Sequence, residues 1–128
     1  MIIILVHWQI RPESEERFLA YRQEKATVRD RTGLICEFLS RVEPHEPVQT
    51  PWITWRLPPQ EDDEATHYVN VGLWSGAQAF LEQIASDFGD DSPIRSFELR
   101  RRRRLLLTPQ TWRIGAADTP RHDSPGVI

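Results

Sequence analysis

The stretch FELRRRRRLLLTPQTW, residues 97–112, sets five consecutive arginines, Arg100 through Arg104, between Leu99 and Leu105. On a helix, five successive charges would point all round the axis and leave no apolar stripe to pack. On a strand they divide between two faces. A strand also explains why leucines bracket the run at both ends. It predicts Leu99, Arg101, Arg103, Leu105 and Leu107 on one face, and Arg100, Arg102, Arg104 and Leu106 on the other. The rival, a flexible tail for polyanions, conflicts with a formal net charge of −3 for the whole chain, which gives no global positive field. No nucleic-acid partner is therefore expected. The strand reading expects charged heads paired with carboxylates such as Glu37, Glu98 and the acidic run Glu61–Glu64, or extended to water, with anion or substrate binding by Arg101 or Arg103 as the alternative. It further expects Arg102→Gln to cost little, and Leu99→Asp or Leu105→Asp to unfold the domain.

The other elements follow from pattern. In Ile2–Ile10 one parity (Ile2, Ile4, Val6, Trp8, Ile10) is wholly apolar, while the other (Ile3, Leu5, His7, Gln9) turns from apolar to polar, as in a central strand. The acidic start of ESEERFLAYRQEKATV suits a helix N-terminus, and Phe18, Leu19 and Tyr21 supply its apolar side. Leu34–Val42 alternates as a strand with two unlike faces. Glu43–Ala65 carries five of the ten prolines and reads as loop, with WITWRL as a short strand candidate inside it. THYVNVGLW is strand-like. It runs into a helix with Ser75 as N-cap, Gln78 completing a capping box, Gly89 as the terminating residue, and Ala77, Phe80, Leu81, Ile84, Ala85 and Phe88 on one side. The order β-α-β-(β)-β-α-β predicts an α+β, ferredoxin-like split βαβ fold, with an antiparallel sheet carrying two helices on one face. The opposite face also holds large apolar groups, so a second copy is expected to cover it as a two-fold homodimer.

With 128 residues and 39% apolar content, one domain is expected, spanning residues 1–114, with a C-terminal tail at 115–128. The single cysteine, Cys36, excludes an intrachain disulfide and suits a reducing, cytoplasmic setting. The apolar opening has no basic leader and meets Pro12 too soon to span a bilayer, so no membrane partner is expected. Histidines at 7, 45, 67 and 122 show no metal-ligand spacing, and no phosphate-binding or dinucleotide fingerprint appears. No cofactor is expected.

The strand IIILVHWQI, the passage YVNVGLWSGAQAFLEQI with Trp just before a helix, and the strand FELRRRRRLLL together resemble the dimeric α/β barrel superfamily, and within it the antibiotic biosynthesis monooxygenase-like domains. The resemblance implies a dimeric α/β barrel and a cofactor-independent oxygenase acting on a small apolar or aromatic, polyketide-type molecule. It also implies a cleft between sheet and helices, lined by a polar residue near the end of the first strand and a Trp at the end of the third. His7 and Trp74 occupy those positions. Asn70, four residues before Trp74 and of the same parity, adds an amide. In that reading His7 is the base, Trp74 an apolar wall and Asn70 a polar partner, with Tyr21, Arg101 and Arg103 as substrate contacts, all converging in one cleft. Haem-degrading members carry an axial His on the helix after the Trp; residues 75–88 contain none, which argues against haem. The alternative is a non-catalytic ligand-binding or interaction protein with the same barrel.

Overall fold

The computed structural model, which describes residues 1–26, 28–43, 52 and 64–127, runs in the order β1 (Ile2–Ile10), a short 3-10 turn (Pro12–Ser14), α1 (Glu15–Glu24), β2 (Leu34–Arg41), β3 (Thr66–Trp74), α2 (Ala77–Phe88) and β4 (Glu98–Leu107). The four strands form one antiparallel sheet in the order β2-β3-β1-β4. This α+β arrangement is compatible with the ferredoxin-like plan. β1 and β3 occupy the centre, as the two-sided apolar content of β1 requires, and the arginine strand lies at an edge, where charge discourages unwanted sheet pairing. Apart from Trp52, which is exposed, the strand expected in WITWRL lies outside the described residues. Among the described residues no helix is long and apolar enough to cross a membrane. Those beyond Leu107 form neither helix nor strand, and Trp112 and Ile114 are exposed there.

Both helices pack on the face formed by the even-numbered residues of β1 and β3. The core there joins Ile4, Val6, Trp8 and Ile10 of β1 with Tyr68 and Trp74 of β3, Phe18 of α1 and Phe97 just before β4. Phe18 is fully buried and its ring lies 5.1 Å from Trp8, 5.1 Å from Tyr68 and 5.4 Å from Phe97, in tilted geometries that aromatic quadrupoles favour. Burying such a ring contributes roughly 1.5–3 kcal/mol. α2 presents Ala79, Phe80 and Ile84 to this core, whereas Leu81 is half exposed. Its N-cap is Gly76 with no side-chain cap, so the expected Ser75 capping box does not form; the Ser75 amide instead donates to the Gly33 carbonyl at 2.8 Å. Gly89 follows α2 in an extended conformation rather than the left-handed one of a helix-terminating glycine. Gly72 is needed for packing: a Cβ there would fall 2.8 Å from Nε1 of Trp74, whose indole lies back along its own strand.

The other face of the sheet carries no helix, and its register arranges it in rows. Cys36, Leu73, Ile3 and Leu107 form the first row, and Phe38, Val71, Leu5 and Leu105 the second. Ser40, Val69, His7 and Arg103 form the third, and His67, Gln9 and Arg100 the fourth. The open face thus divides into an apolar end and a polar, cationic end, which is the apolar-to-polar gradient of the odd residues of β1 extended sideways across the sheet.

Candidate functional site

The arginine run departs from simple parity because the β1–β4 register shifts twice, between His7 and Gln9 and again between Gln9 and Ile10. An extra residue on one strand reverses the alternation beyond it. Arg103 stands opposite His7 and Arg100 opposite Gln9, so these two share the open face, against the expected separation. Arg100 Nη1 donates to Gln9 Oε1 at 3.0 Å. Arg104 lies opposite Val6 on the helix side and pairs at 2.6 Å with the largely exposed Asp90. Arg101, expected beside Arg103 as a substrate contact, instead donates to the backbone carbonyls of Asp90 and Ser92 at 2.9 and 2.6 Å, which fastens the loop between α2 and β4.

Arg102 overturns the expectation of a dispensable surface charge. Its side chain is 2% exposed and pairs at 2.9 Å with Glu98, whose side chain is 0% exposed. Its guanidinium lies 5.2 Å from the centre of the Trp8 ring. Glu98 also accepts the Arg95 backbone N–H at 2.7 Å. A buried charge is tolerated when it is paired and hydrogen-bonded, and this pair meets both conditions. Leu105, by contrast, is 55% exposed within the chain, so Leu105→Asp alone does not strip a core contact.

The three residues expected to meet in one cleft do not. Asn70 and Trp74 lie on the helix side, whereas His7 lies on the open face, because Val6 and Trp8 of β1 stand opposite Asn70 and Tyr68 and His7 falls between them. Trp74 is 2% exposed and meets Phe80 edge-on, with ring centres 5.6 Å apart. Asn70 is buried as well. Its Oδ1 accepts Arg22 Nη2 at 2.7 Å and its Nδ2 donates to Glu37 Oε2 at 3.3 Å, with Arg22 and Glu37 themselves 3.8 Å apart. The amide is therefore engaged in joining α1 to β2. Tyr21, the other expected contact, lines an open depression of about 510 Å³ with Ser92, Ile94, Arg95 and Phe97, and the Arg95 guanidinium lies 4.8 Å from its ring centre.

A second polar link between α1 and β2 lies beside this one. Glu15 Oε1 accepts Arg41 Nε at 2.9 Å and the Tyr68 hydroxyl at 2.8 Å. The Arg41 hydrogen bond first, and the Tyr68 hydrogen bond second, hold the Glu15 carboxyl below its ordinary value. Burial first, then the Glu15 carboxylate, push the Tyr68 phenol up. A carboxyl whose folded value is lowered stabilises the fold above its unfolded value, and that contribution is lost as pH falls through the folded one. Comparing denaturant unfolding at about pH 7 and about pH 3 should therefore show a smaller loss of stability for Glu15→Gln than for the wild-type chain. Equal losses would mean that this carboxylate is not held as described.

On the open face His7 has a partner that parity alone did not single out. His7 Nε2 and His67 Nδ1 are 2.7 Å apart and the rings stack with centres 5.0 Å apart and planes inclined by 29°. Because His7 stands opposite Val69 and Gln9 opposite His67, the pair is a diagonal cross-strand contact. The available signal was that His67 has the opposite parity to Asn70, which sets it on the face that His7 occupies. Among the described residues no group of three or more His, Cys, Asp or Glu could hold a metal ion.

No family model matches the chain, and no curated protein matches it closely enough to count as a relative.

Proposed function

We propose that the chain is a homodimeric protein of dimeric α/β barrel type that binds a small amphipathic molecule without transforming it. The observation that carries this reading is the row pattern of the open face: two adjoining rows of Cys36, Leu73, Ile3, Leu107 and Phe38, Val71, Leu5, Leu105 run across all four strands with no charged group in them. Strands about 4.8 Å apart and same-face rows about 6.7 Å apart give the whole four-row face roughly 500 Å² in projection and the two apolar rows about half of that, against the ~800 Å² per partner that specific interfaces bury, so the interface extends beyond the apolar rows. A second copy, presenting the same rows about a two-fold axis, covers like with like. The oxygenase reading needs a base, an aromatic wall and an amide in one cleft. With His7 across the sheet from Trp74 and Asn70, and with Asn70 engaged by Arg22 and Glu37, the binding reading is favoured over it.

Cys36, in the outer apolar row, serves as a reporter. Its alkylation rate should fall as protein concentration rises through the dimer dissociation constant. A rate that is the same at nanomolar and at high micromolar concentration would contradict the covering of these rows.

A further inference from the structure

Beyond β4 the chain continues with large apolar side chains that its own fold leaves in water. From Thr108 to Val127 every residue except Pro109 and Ser124 is exposed, Trp112 by 62% and Ile114 by 90%. Among the described residues, the hydrogen bonds of this segment run within it, joining Gln110 to Thr108, Arg121 to Ser124 and Ser124 to Val127. Between Thr108 and Ala117 the one charged residue is Arg113. A polar, highly charged tail gains nothing by leaving water, whereas a Trp and an Ile on a nearly uncharged one do. Pro109 fixes one φ at the root of this arm, which lowers the entropy that docking removes.

The dimer described above needs a contribution of this kind. Its two apolar rows supply about half of roughly 500 Å², against the ~800 Å² per partner of a specific interface. Burying Trp112 covers about 150 Å² of the ring and a like area of the receiving surface. In a two-fold dimer each copy gives one arm and receives one, so about 300 Å² is added per partner before Ile114 is counted. The arm also starts in the right place, since Leu107, the last residue of β4, stands in the first apolar row opposite Ile3.

Symmetry gives the arm a destination. A two-fold axis along the strands lays each row of the open face on its counterpart, and it sets β4 of one copy over β2 of the other, because β2 and β4 are the two edges of the sheet. The arm then leaves beside the start of β2 in the second copy, where Ile35 is 55% exposed. Facing sheets lie about 10 Å apart, and an extended chain carries Trp112 up to roughly 17 Å and Ile114 up to roughly 24 Å past Leu107, enough to cross that gap. We infer that residues 108–114 form an arm that reaches across to a second copy of this chain and packs Trp112 and Ile114 against its β2 edge at Ile35. The inference rests on the dimer reading above and adds the surface that completes its interface.

The test is sedimentation of the full chain over a dilution series, with far-ultraviolet circular dichroism as the check on folding. The wild-type chain should dimerise, and Trp112→Ala should raise the dissociation constant by about 100-fold or more with an unchanged spectrum, because both arms lose the ring at once. Val127→Ala, at an exposed position further along the same tail, should leave the constant unchanged. Ile35→Ala should weaken the dimer by itself, and the double variant Ile35→Ala with Trp112→Ala should lose less than the product of the two single effects, as residues in contact do. A wild-type dimer that ignores Trp112→Ala would overturn the arm and leave the dimer standing. Single effects that simply multiply in the double variant would overturn the docking at Ile35. A Trp112→Ala chain that loses its spectrum would overturn the inference as well, since the ring would then support its own chain. A wild-type chain that stays monomeric would end the dimer reading and the arm together.

Discussion

Arg102→Gln should be among the most damaging single substitutions in the chain, lowering stability by about 3–5 kcal/mol, the range for removing one partner of a buried ion pair. Glutamine is too short to reach as far as the guanidinium and carries no charge, so the Glu98 carboxylate, 0% exposed, keeps only the Arg95 amide as a partner from the set described. The Trp8 ring also loses the cation that lies 5.2 Å from its centre. In a thermal melt this corresponds to a drop of roughly 10–20 °C for a domain of this size. The double variant Glu98→Gln with Arg102→Gln should recover a large part of the loss, because the cost comes chiefly from a stranded charge rather than from a missing attraction. A melt of Arg102→Gln within a degree or two of wild type would mean that the side chain is not buried against Glu98.

Leu105→Asp should leave the fold nearly intact and abolish dimerisation. Within one chain Leu105 is 55% exposed, so an aspartate there meets water and the circular dichroism spectrum should be retained. In the proposed dimer the two-fold axis would bring an unpaired carboxylate from each copy into the apolar rows beside Leu5 and Val71. Desolvating such a group costs about 3 kcal/mol or more, which weakens association by at least ~100-fold. This ranking is the reverse of the one that the sequence suggests, in which Arg102 is dispensable and Leu105 essential to folding. An aspartate variant that is unfolded at all concentrations would show that Leu105 supports the chain itself.

The elements were legible because each rests on a local rule. The strands expected in Ile2–Ile10, Leu34–Val42 and Thr66–Trp74 are present, the second ending at Arg41, but the register shift after Leu34 sends that residue to the helix side with Trp74, away from Cys36, Phe38 and Ser40 with which simple alternation grouped it. The arginine run was legible as a strand but not in its facing. The two register shifts around Gln9 leave no mark on hydropathy, since one more arginine in a run of arginines changes no pattern, yet they move Arg100 to the face of Arg103, while Arg102 keeps the side of Arg104 and is buried there against Glu98. The site was legible one residue at a time and illegible as a set. Parity fixed Asn70 and Trp74 on a shared side. The comparison of His7 with them required the β1–β3 register, which pairs even residues with even ones and so sends His7 to the other face with His67. The N-cap of α2 falls at Gly76 rather than Ser75, whose amide donates to the Gly33 carbonyl, a tertiary contact that local propensity does not contain.

The central claim is that a second copy covers the apolar rows of the open face, and sedimentation equilibrium of the wild-type chain at about 10 µM tests it most directly, since stable interfaces of standard size hold at micromolar concentration or below. The account predicts a mass near twice 15.0 kDa that falls toward 15.0 kDa on dilution. A mass that stays at 15.0 kDa as concentration is raised further would contradict it.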